Sequence, residues 1–283
     1  MTILSHFPPA SASCFLFCDA VCGTPAVQPR SPRIVGGHES VEGSLPWTVM
    51  ITHYDDFGQK YFICGGSIIN TMFILTAAHC FYGKDTLDTS MWRVIAGKHS
   101  LTHVNIGEQV WTVEKIVVHP NFNHTSGAND IALMKVSQAI VYTDKIQAVC
   151  LPSQQEIVTT GQHCIVAGWG VTLETGDAFD TLNQVTVPVV SDDVCAQPSW
   201  QRDRFVPHLS FCAGYEEGGR DACAGDSGSP LVCEFLGKWF ASGIVSLGDT
   251  CALPRKPGIY TNVSYYDHWI RNRLVENGYS VSC

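Results

Sequence analysis

The chain has 283 residues, and its 45% hydrophobic and 15% charged content is typical of a packed globular protein with one large or two moderate domains. Asp and Glu number 26 against 17 Lys and Arg, giving a formal net charge of -9, and the longest basic cluster is the Arg255-Lys256 pair. Nucleic acid and anionic membrane surfaces are therefore excluded as expected partners. No apolar run approaches the roughly 18 residues of a membrane span, so no transmembrane segment is predicted.

Thirteen cysteines are spread from Cys14 to Cys283 rather than gathered in pairs around histidines. This distribution favours disulfides over a zinc site. Because disulfides persist in oxidising compartments, we expect a secreted or cell-surface protein. The odd count leaves at least one thiol unpaired or used between chains.

The amino-terminal segment has two interpretations. No Lys or Arg precedes Arg30, and residues 12–21 are only patchily apolar, so the segment is either a poor signal peptide or an incomplete start. The proline-bracketed stretch Pro29–Arg33 predicts an extended, exposed and protease-sensitive linker. We therefore divide the chain between Arg33 and Ile34 into a leader with an activation propeptide, residues 1–33, and a main domain, residues 34–283.

Between Ile34 and Val263 the sequence consists of short β-branched and aromatic runs broken by Gly, Pro, Asn and Asp. This pattern predicts an all-β protein with two successive sets of strands. The predicted strands begin at Trp47, Phe73, Val110, Ile116, Ile131, Ile165, Val185, Pro230 and Ala241.

Only the end of the chain has helical periodicity. Four apolar residues recur there at helical spacing: Tyr266, Trp269, Ile270 and Leu274. They predict an amphipathic helix over residues 264–276 that Gly278 ends. We expect its apolar face to pack on the second set of strands.

Peptide hydrolysis by a serine needs a nucleophilic hydroxyl, an imidazole base, a carboxylate that orients the imidazole, and amides that bind the oxyanion. The sequence offers each of these groups. Ser227 lies in a glycine-flanked loop, His79 follows two alanines, and Asp130 precedes an apolar strand. Each signal is weak alone, but together they indicate a serine hydrolase.

Four segments in this order carry a resemblance: Ile34-Val-Gly-Gly, Leu75-Thr-Ala-Ala-His-Cys, Asp130-Ile-Ala-Leu and Gly225-Asp-Ser-Gly. They resemble the chymotrypsin-family serine peptidases, and the trypsin-like members in particular, over about residues 22–276. The resemblance implies two six-stranded antiparallel β-barrels packed together, over about 34–145 and 146–263, followed by the helix. It implies a peptidase that acts on proteins or peptides, meets macromolecular protease inhibitors, and needs no cofactor or metal.

The family's roles carry over to matching positions. His79 would act as general base and then general acid, Asp130 would orient it, and Ser227 would form the acyl-enzyme. The backbone N–H groups of Gly225 and Ser227 would form the oxyanion hole.

The resemblance also implies a specificity pocket with Asp221 at its base. Ser246, Gly248 and Gly258 match the other substrate-binding positions, where the glycines keep the slot open for a long side chain. A carboxylate in such a slot favours cationic side chains, so cleavage after Arg or Lys is expected.

Activation is expected to depend on a new amino terminus. Cutting the Arg33-Ile34 bond would create an ammonium group on Ile34, and Asp226 would receive it in this family. The uncut chain would then be a zymogen, activated by itself or by another trypsin-like enzyme.

The resemblance implies five disulfides, and it leaves Cys14, Cys18 and Cys283 unassigned. The implied pairs are Cys22–Cys150, Cys64–Cys80, Cys164–Cys233, Cys195–Cys212 and Cys223–Cys251.

Some positions depart from the family pattern. Ser229 and Leu247 replace the usual glycine and tryptophan, and a positive φ at Ser229 would cost about 1 kcal/mol. Lys98 stands where trypsin's calcium loop supplies a carboxylate, so an ion pair with Glu108 is expected instead.

Two glycosylation sequons occur, at Asn123 and Asn262, and Asn123 is the better candidate.

Three alternatives remain. Gly225-Asp-Ser-Gly-Ser superficially resembles an α/β-hydrolase nucleophile elbow, but that motif needs a glycine where Ser229 stands. In that fold the catalytic acid and histidine also follow the serine in the chain, and here the only later Asp and His that lie close together are Asp267 and His268. A catalytically inactive member of the same fold would serve as a binding module. The chain could also be one segment of a larger polyprotease of the ovochymase type.

Overall fold

The structure is a computed structural model. It describes ten parts of the chain: residues 22–29, 37–55, 57–83, 87–153, 156, 158–171, 179–201, 204–223, 225–246 and 251–279, without the side chains of Phe62 and Ile63. Several predicted features lie outside the described residues: Arg33, Ile34, Leu247, Gly248, Cys14, Cys18 and Cys283.

Six strands close the first barrel in the order β2-β3-β4-β7-β6-β5, with every neighbouring pair antiparallel. Alternate apolar side chains fill its interior, among them Val49, Ile51 and Leu133, which are fully buried. The strands are β2 (Thr48–Tyr54), β3 (Lys60–Ile68), β4 (Phe73–Thr76), β5 (Trp92–Ala96), β6 (Gln109–Val118) and β7 (Ala132–Val136).

The second barrel follows the order β9-β10-β13-β12-β11-β8, and β8 pairs back with β9 to close it. Its strands are β8 (His163–Gly168), β9 (Asn183–Val190), β10 (Ser210–Ala213), β11 (Pro230–Phe235), β12 (Lys238–Val245) and β13 (Gly258–Asn262). The predicted all-β fold with two six-stranded antiparallel barrels is therefore confirmed.

A short strand crosses between the barrels. β1 (His38–Glu39) pairs with Asn183 and Gln184 of β9, and Ser40 continues the contact through hydrogen bonds to Leu182. This segment was expected in the first barrel, but its backbone hydrogen bonds tie it to the second.

The structure merges two of the predicted strands and adds five. Val110 and Ile116 both lie in β6, where a register shift between Val113 and Lys115 marks a bulge. The strands absent from the sequence prediction are β1, β3, β5, β10 and β13. β3 contains Gly65 and Gly66, which interrupt its apolar run.

The terminal helix departs from the expectation in two ways. Its first turn is a 3₁₀ helix, Val263–Tyr266, and the α-helix, α2, spans Asp267–Glu276; the earlier one-turn helix α1 spans Asp192–Cys195. The first turn contacts β12 of the second barrel, as expected, whereas α2 contacts the first barrel. There the Trp269 ring lies 5.1 Å from His119 beyond β6, and Lys115 of β6 donates to Asn277.

Five disulfides join described residues: Cys22–Cys150, Cys64–Cys80, Cys164–Cys233, Cys195–Cys212 and Cys223–Cys251. These are the five pairs implied by the resemblance. The first one tethers residues 22–29 to the body, where Gly23 also exchanges backbone hydrogen bonds with Ala148 and Trp239. No described helix has both the length and the apolar character needed to span a bilayer.

The expected ion pair between Lys98 and Glu108 is present. The Lys98 Nζ lies 3.0 Å from Glu108 Oε2 and 3.1 Å from the His103 carbonyl oxygen, and the two side chains are only 6% and 10% exposed. A fixed ammonium beside the carboxylate does not fit a calcium ion, because it replaces an oxygen ligand with a like charge.

We expect Glu108→Ala to lower the free energy of unfolding by about 3 kcal/mol, because it leaves the Lys98 ammonium buried without its partner. The matched control is Glu42→Ala, which breaks the exposed Glu42–Lys145 pair, 44% and 38% exposed, and should cost less than about 1 kcal/mol. Denaturant unfolding measures both values.

Calcium should not change the midpoint of wild-type thermal unfolding, measured with excess calcium or with chelator. A midpoint that chelator lowers would contradict the assignment of this loop to the ion pair.

Candidate active site

His79 and Asp130 form a direct pair in the first barrel. His79 lies on a 3₁₀ helix, Ala78–Phe81, that follows β4, and Asp130 lies just before β7. The His79 Nδ1 is 2.7 Å from Asp130 Oδ2, and the His79 backbone N–H donates to Oδ1 at 2.8 Å. Because an ionised carboxylate only accepts hydrogen bonds, Nδ1 carries the proton and Nε2 is left as the basic atom.

The second barrel completes the environment of Asp130, which is fully buried. The Ser246 hydroxyl donates to Asp130 Oδ2 at 2.5 Å, and the Thr261 hydroxyl donates to the Asp130 carbonyl at 2.8 Å. The sequence analysis placed Ser246 among the substrate-binding residues and did not predict the hydrogen bond of its hydroxyl to Asp130. Thr261 was missed altogether, because its partner is 131 positions away and no local motif signals it.

A tight turn presents Ser227. Gly225 and Gly228 flank it with φ angles of 96° and 80°, in the left-handed region that favours glycine. A Cβ at Gly228 would lie 2.6 Å from the Gly65 carbonyl oxygen, so no other residue fits there. The Gly65 N–H donates to the Ser227 carbonyl at 2.7 Å and ties this turn to the first barrel.

Ser227 and His79 line one cleft of about 320 Å³, together with the Cys64–Cys80 disulfide. The fold therefore brings the predicted hydroxyl and imidazole to one cleft, and the carboxylate bonds the imidazole. Among the described residues, Cys64, His79 and Cys80 are the one group spaced for a metal ion. The sulfur atoms of Cys64 and Cys80 are joined in a disulfide and carry no thiolate, so the group does not fit a metal ion.

Asp226, next to Ser227, is a buried carboxylate held by amides. Its Oδ1 accepts from the Gly170 N–H and its Oδ2 from the Cys223 N–H, both at 2.9 Å. Burial raises its pKa to about 6, and the two amides oppose that rise. A cavity of about 80 Å³ beside it is also lined by Gly37 and His38.

Asp221 is a second largely buried carboxylate, and it lines the same cavity as Asp226. Its Oδ1 accepts from the Ala222 N–H at 2.8 Å, and burial raises its pKa to about 7. Gly258 packs against the carboxylate, since a Cβ there would be 2.7 Å from Asp221 Oδ1 and 3.0 Å from the Tyr260 hydroxyl. Of the predicted pocket residues, the structure thus brings Asp221 and Gly258 together.

Ser229 has no backbone strain, because positive φ angles in this turn fall on the glycines. Its side chain is buried at the junction of the barrels, against Gly65, where any Cβ would collide with the Ser229 hydroxyl. That hydroxyl has no hydrogen-bond partner among the described residues.

The two glycosylation sequons differ in exposure. Asn123 is exposed, and its Oδ1 accepts from the N–H groups of Thr125 and Ser126. Asn262 instead donates through Nδ2 to the His208 carbonyl, and Ser264 of its sequon is buried.

Comparison with known proteins identifies the family of the chain. The sequence model of the family described as Trypsin matches residues 34–270. The chain is also 39% identical, over 243 residues, to Trypsin-1 of Astacus astacus, which covers 86% of this chain and 100% of that protein. The family match spans all the described site residues above, from His79 to Gly258.

We expect Ser229→Ala to raise the free energy of unfolding by about 1 kcal/mol, because it removes a buried hydroxyl without a partner. The matched control is Ser40→Ala, which should lower it by about 1 kcal/mol, since the buried Ser40 hydroxyl donates to the Leu182 carbonyl at 2.9 Å. Chemical denaturation of both variants gives the two signs. A loss of stability in Ser229→Ala would show that this hydroxyl is satisfied in solution.

Proposed function

Since the chain belongs to the trypsin family of serine endopeptidases, we propose that it is a secreted zymogen. Cleavage after Arg33 activates it, and the mature enzyme hydrolyses peptide bonds after Arg or Lys. The observation that carries the specificity is the largely buried Asp221 carboxylate, which packs against Gly258 at a point where any side chain would collide with it.

In the proposed reaction, Ser227 attacks the carbonyl carbon of the substrate while His79 Nε2 takes the hydroxyl proton. The resulting imidazolium is stabilised by Asp130, and His79 then passes the proton to the leaving amine. The oxyanion is bound by the backbone N–H groups of Gly225 and Ser227. Losing one such donor typically costs about 2.7–4 kcal/mol of transition-state stabilisation. Water then hydrolyses the acyl-enzyme by the same path in reverse.

The specificity proposal follows from the electrostatics of Asp221. Its raised pKa means that burial without a counter-ion is unfavourable for the ionised form. A guanidinium or ammonium group entering the slot supplies the missing positive charge, whereas an apolar side chain leaves the carboxylate desolvated. Gly248, which lies outside the described residues, is the second glycine assigned to the slot.

The activation proposal rests on Asp226 and its cavity. The two contacts of its carboxylate given above are neutral amides, so a cation there would stabilise the ionised form. Gly37 lines the same cavity and lies three residues after Ile34, a span of about 10 Å when extended. The ammonium of a new Ile34 terminus can therefore reach Asp226 and order the adjacent Ser227 turn.

Secretion is supported by the five disulfides, which persist in oxidising compartments. Exposure favours Asn123 over Asn262 as the glycosylated residue. We retain residues 34–283 as the peptidase domain and 1–33 as the leader with its propeptide, and macromolecular protease inhibitors as partners.

The proposed activity predicts that cutting the Arg33-Ile34 bond creates an amidase for Arg and Lys anilides. The uncut chain should be nearly inactive, and a cut Ser227→Ala variant should lose activity by about 10⁶-fold. Chromogenic assays, with sequencing of the new terminus, measure this. If wild type with a confirmed Ile34 terminus cleaves neither substrate, the protein is the inactive binding module.

The raised pKa of Asp221 predicts pH-dependent binding of a small aromatic amidine to the mature enzyme. The amidinium needs the ionised carboxylate, so affinity should be full above pH 7 and fall as the pH drops below the pKa of about 7. At pH 5.5 the loss should be roughly 30-fold, and binding near pH 6 should release about one proton. Calorimetry in two buffers measures both.

Asp221→Asn is the matched control, and it should bind weakly without this pH dependence. Strong binding by that variant would contradict the assignment of Asp221 to the pocket. A separate variant, Asp221→Ser, should lose the preference for Arg and Lys.

A further inference from the structure

Asn129, the residue before Asp130, has a left-handed backbone. Its φ angle is 58°, although it carries a side chain. Asparagine populates this region several-fold more readily than most other residues with a side chain. The Asn129 carbonyl also accepts a hydrogen bond from the Ile131 N–H at 2.9 Å, so the chain turns tightly around Asp130. The direction in which the Asp130 side chain leaves the backbone is therefore set at Asn129.

The side-chain amide of Asn129 is held at both of its polar atoms. Nδ2 donates to the Asn121 carbonyl at 2.9 Å, and Oδ1 accepts from the Tyr266 hydroxyl at 3.1 Å. An amide offers a donor and an acceptor at the end of one short side chain, and both are used here. The first contact lies within the loop between β6 and β7, and the second joins that loop to the start of α2.

The loop that carries Asp130 is closed at its base. Where β6 ends, the His119 N–H donates to the Ile131 carbonyl at 3.1 Å. The contact between Asn129 and Asn121 crosses the same loop one step further in. Asp130 lies between these two cross-connections in the chain, so its backbone has little freedom to move away from His79.

Tyr266 is a fixed partner for the amide. It is 2% exposed, it ends the 3₁₀ helix before α2, and its ring meets the His119 ring edge to face with centroids 5.5 Å apart. Burial raises the pKa of Tyr266, so its hydroxyl keeps its proton and remains a donor. Docking of the terminal helix thus places a hydrogen-bond donor on Asn129.

We propose that Asn129 is a positioning residue that aims the Asp130 carboxylate at His79, and that Tyr266 acts through it. The proposal rests on the proposed function and adds two residues to it. The hydroxyls of Ser246 and Thr261 satisfy the polar atoms of Asp130, whereas Asn129 sets the direction of its side chain. Without the amide, the carboxylate turns away from His79 Nδ1, and the imidazole is less well oriented for proton transfer.

The first test compares mature wild type with Asn129→Gly and Asn129→Ala. Glycine keeps the left-handed backbone and loses the amide, whereas alanine loses both. We expect kcat for an Arg anilide to fall about 10-fold in Asn129→Gly and further in Asn129→Ala, with KM changed less than about 2-fold. Rates are divided by the active-site concentration from burst titration, so the folded fraction does not enter. Wild-type kcat in Asn129→Gly overturns the proposal, because the backbone alone is then enough.

The second test addresses Tyr266. Tyr266→Phe keeps the ring and loses the hydroxyl, so kcat should fall about 3-fold, less than in Asn129→Gly, because the amide keeps its bond to Asn121. The double variant of Asn129→Gly and Tyr266→Phe should be no slower than Asn129→Gly alone, since the hydroxyl acts through the amide. Losses that multiply in the double variant overturn the role of Tyr266.

Two matched controls lie outside this network. Leu236→Gly changes another left-handed residue, with φ of 50°, on the fully exposed turn between β11 and β12. Tyr265→Phe removes the hydroxyl of the neighbouring tyrosine, which is 52% exposed. Both controls should keep the wild-type kcat. A loss in either one equal to that of its partner variant overturns the assignment.

A spectroscopic measurement separates this proposal from the proposed function. The proton on His79 Nδ1 lies in the 2.7 Å contact with Asp130 and gives a downfield NMR signal, whose position follows the strength of that hydrogen bond. The signal should move upfield in Asn129→Gly and stay in place in Leu236→Gly. An unchanged signal in Asn129→Gly overturns the positioning role. Wild type that shows the signal, shifts it in Asn129→Gly and cleaves no Arg anilide overturns only the proposed function.

Discussion

The buried carboxylate of Asp130 is the interaction on which the rest of the site depends. The first barrel supplies Asp130 and His79, while the second supplies Ser246 and Thr261, which donate to Asp130. An isolated carboxylate in such a place would cost several kcal/mol, so its hydrogen bonds are satisfied only when both barrels are docked. The requirement to satisfy one charge therefore fixes the barrels against each other, and Ser227 with them.

Two further carboxylates near Ser227 are buried at a cost that backbone amides offset only in part. Burial raises the pKa of both Asp221 and Asp226, and the Asp226 carboxylate also disfavours ionisation of Asp221. The described protein is less stable for carrying them. In the proposed function, a substrate cation offsets the cost at Asp221 and the new terminus offsets it at Asp226. The free energy of substrate binding and that of zymogen activation thus both come from carboxylates that folding alone leaves without a cation.

The sequence predicted what short motifs encode and missed what distant segments decide. The fold class and the five disulfides follow from motifs that match a family. The Lys98–Glu108 pair follows from a position at which the chain departs from that family's pattern. The docking of α2 on the first barrel was missed, because helical periodicity shows that a face is apolar but not which surface covers it. Whether Ser229 is strained could not be decided from the sequence for a similar reason, and the structure shows no positive φ there. The backbone there depends on the φ angles of Gly225 and Gly228 and on the space above Gly65, which lies 164 positions earlier.

The division of labour between the barrels has a consequence for specificity. Asp221 and Gly258 belong to the second barrel and its loops, whereas His79 and Asp130 belong to the first. With the roles proposed here, the second barrel selects the residue before the scissile bond and the first barrel supplies the base that moves the proton. Ser227 lies where the two barrels meet, and the Gly65 amide ties its turn to the first barrel. Substitutions around Asp221 can then change the preference for the substrate while the geometry of Asp130 and His79 stays fixed.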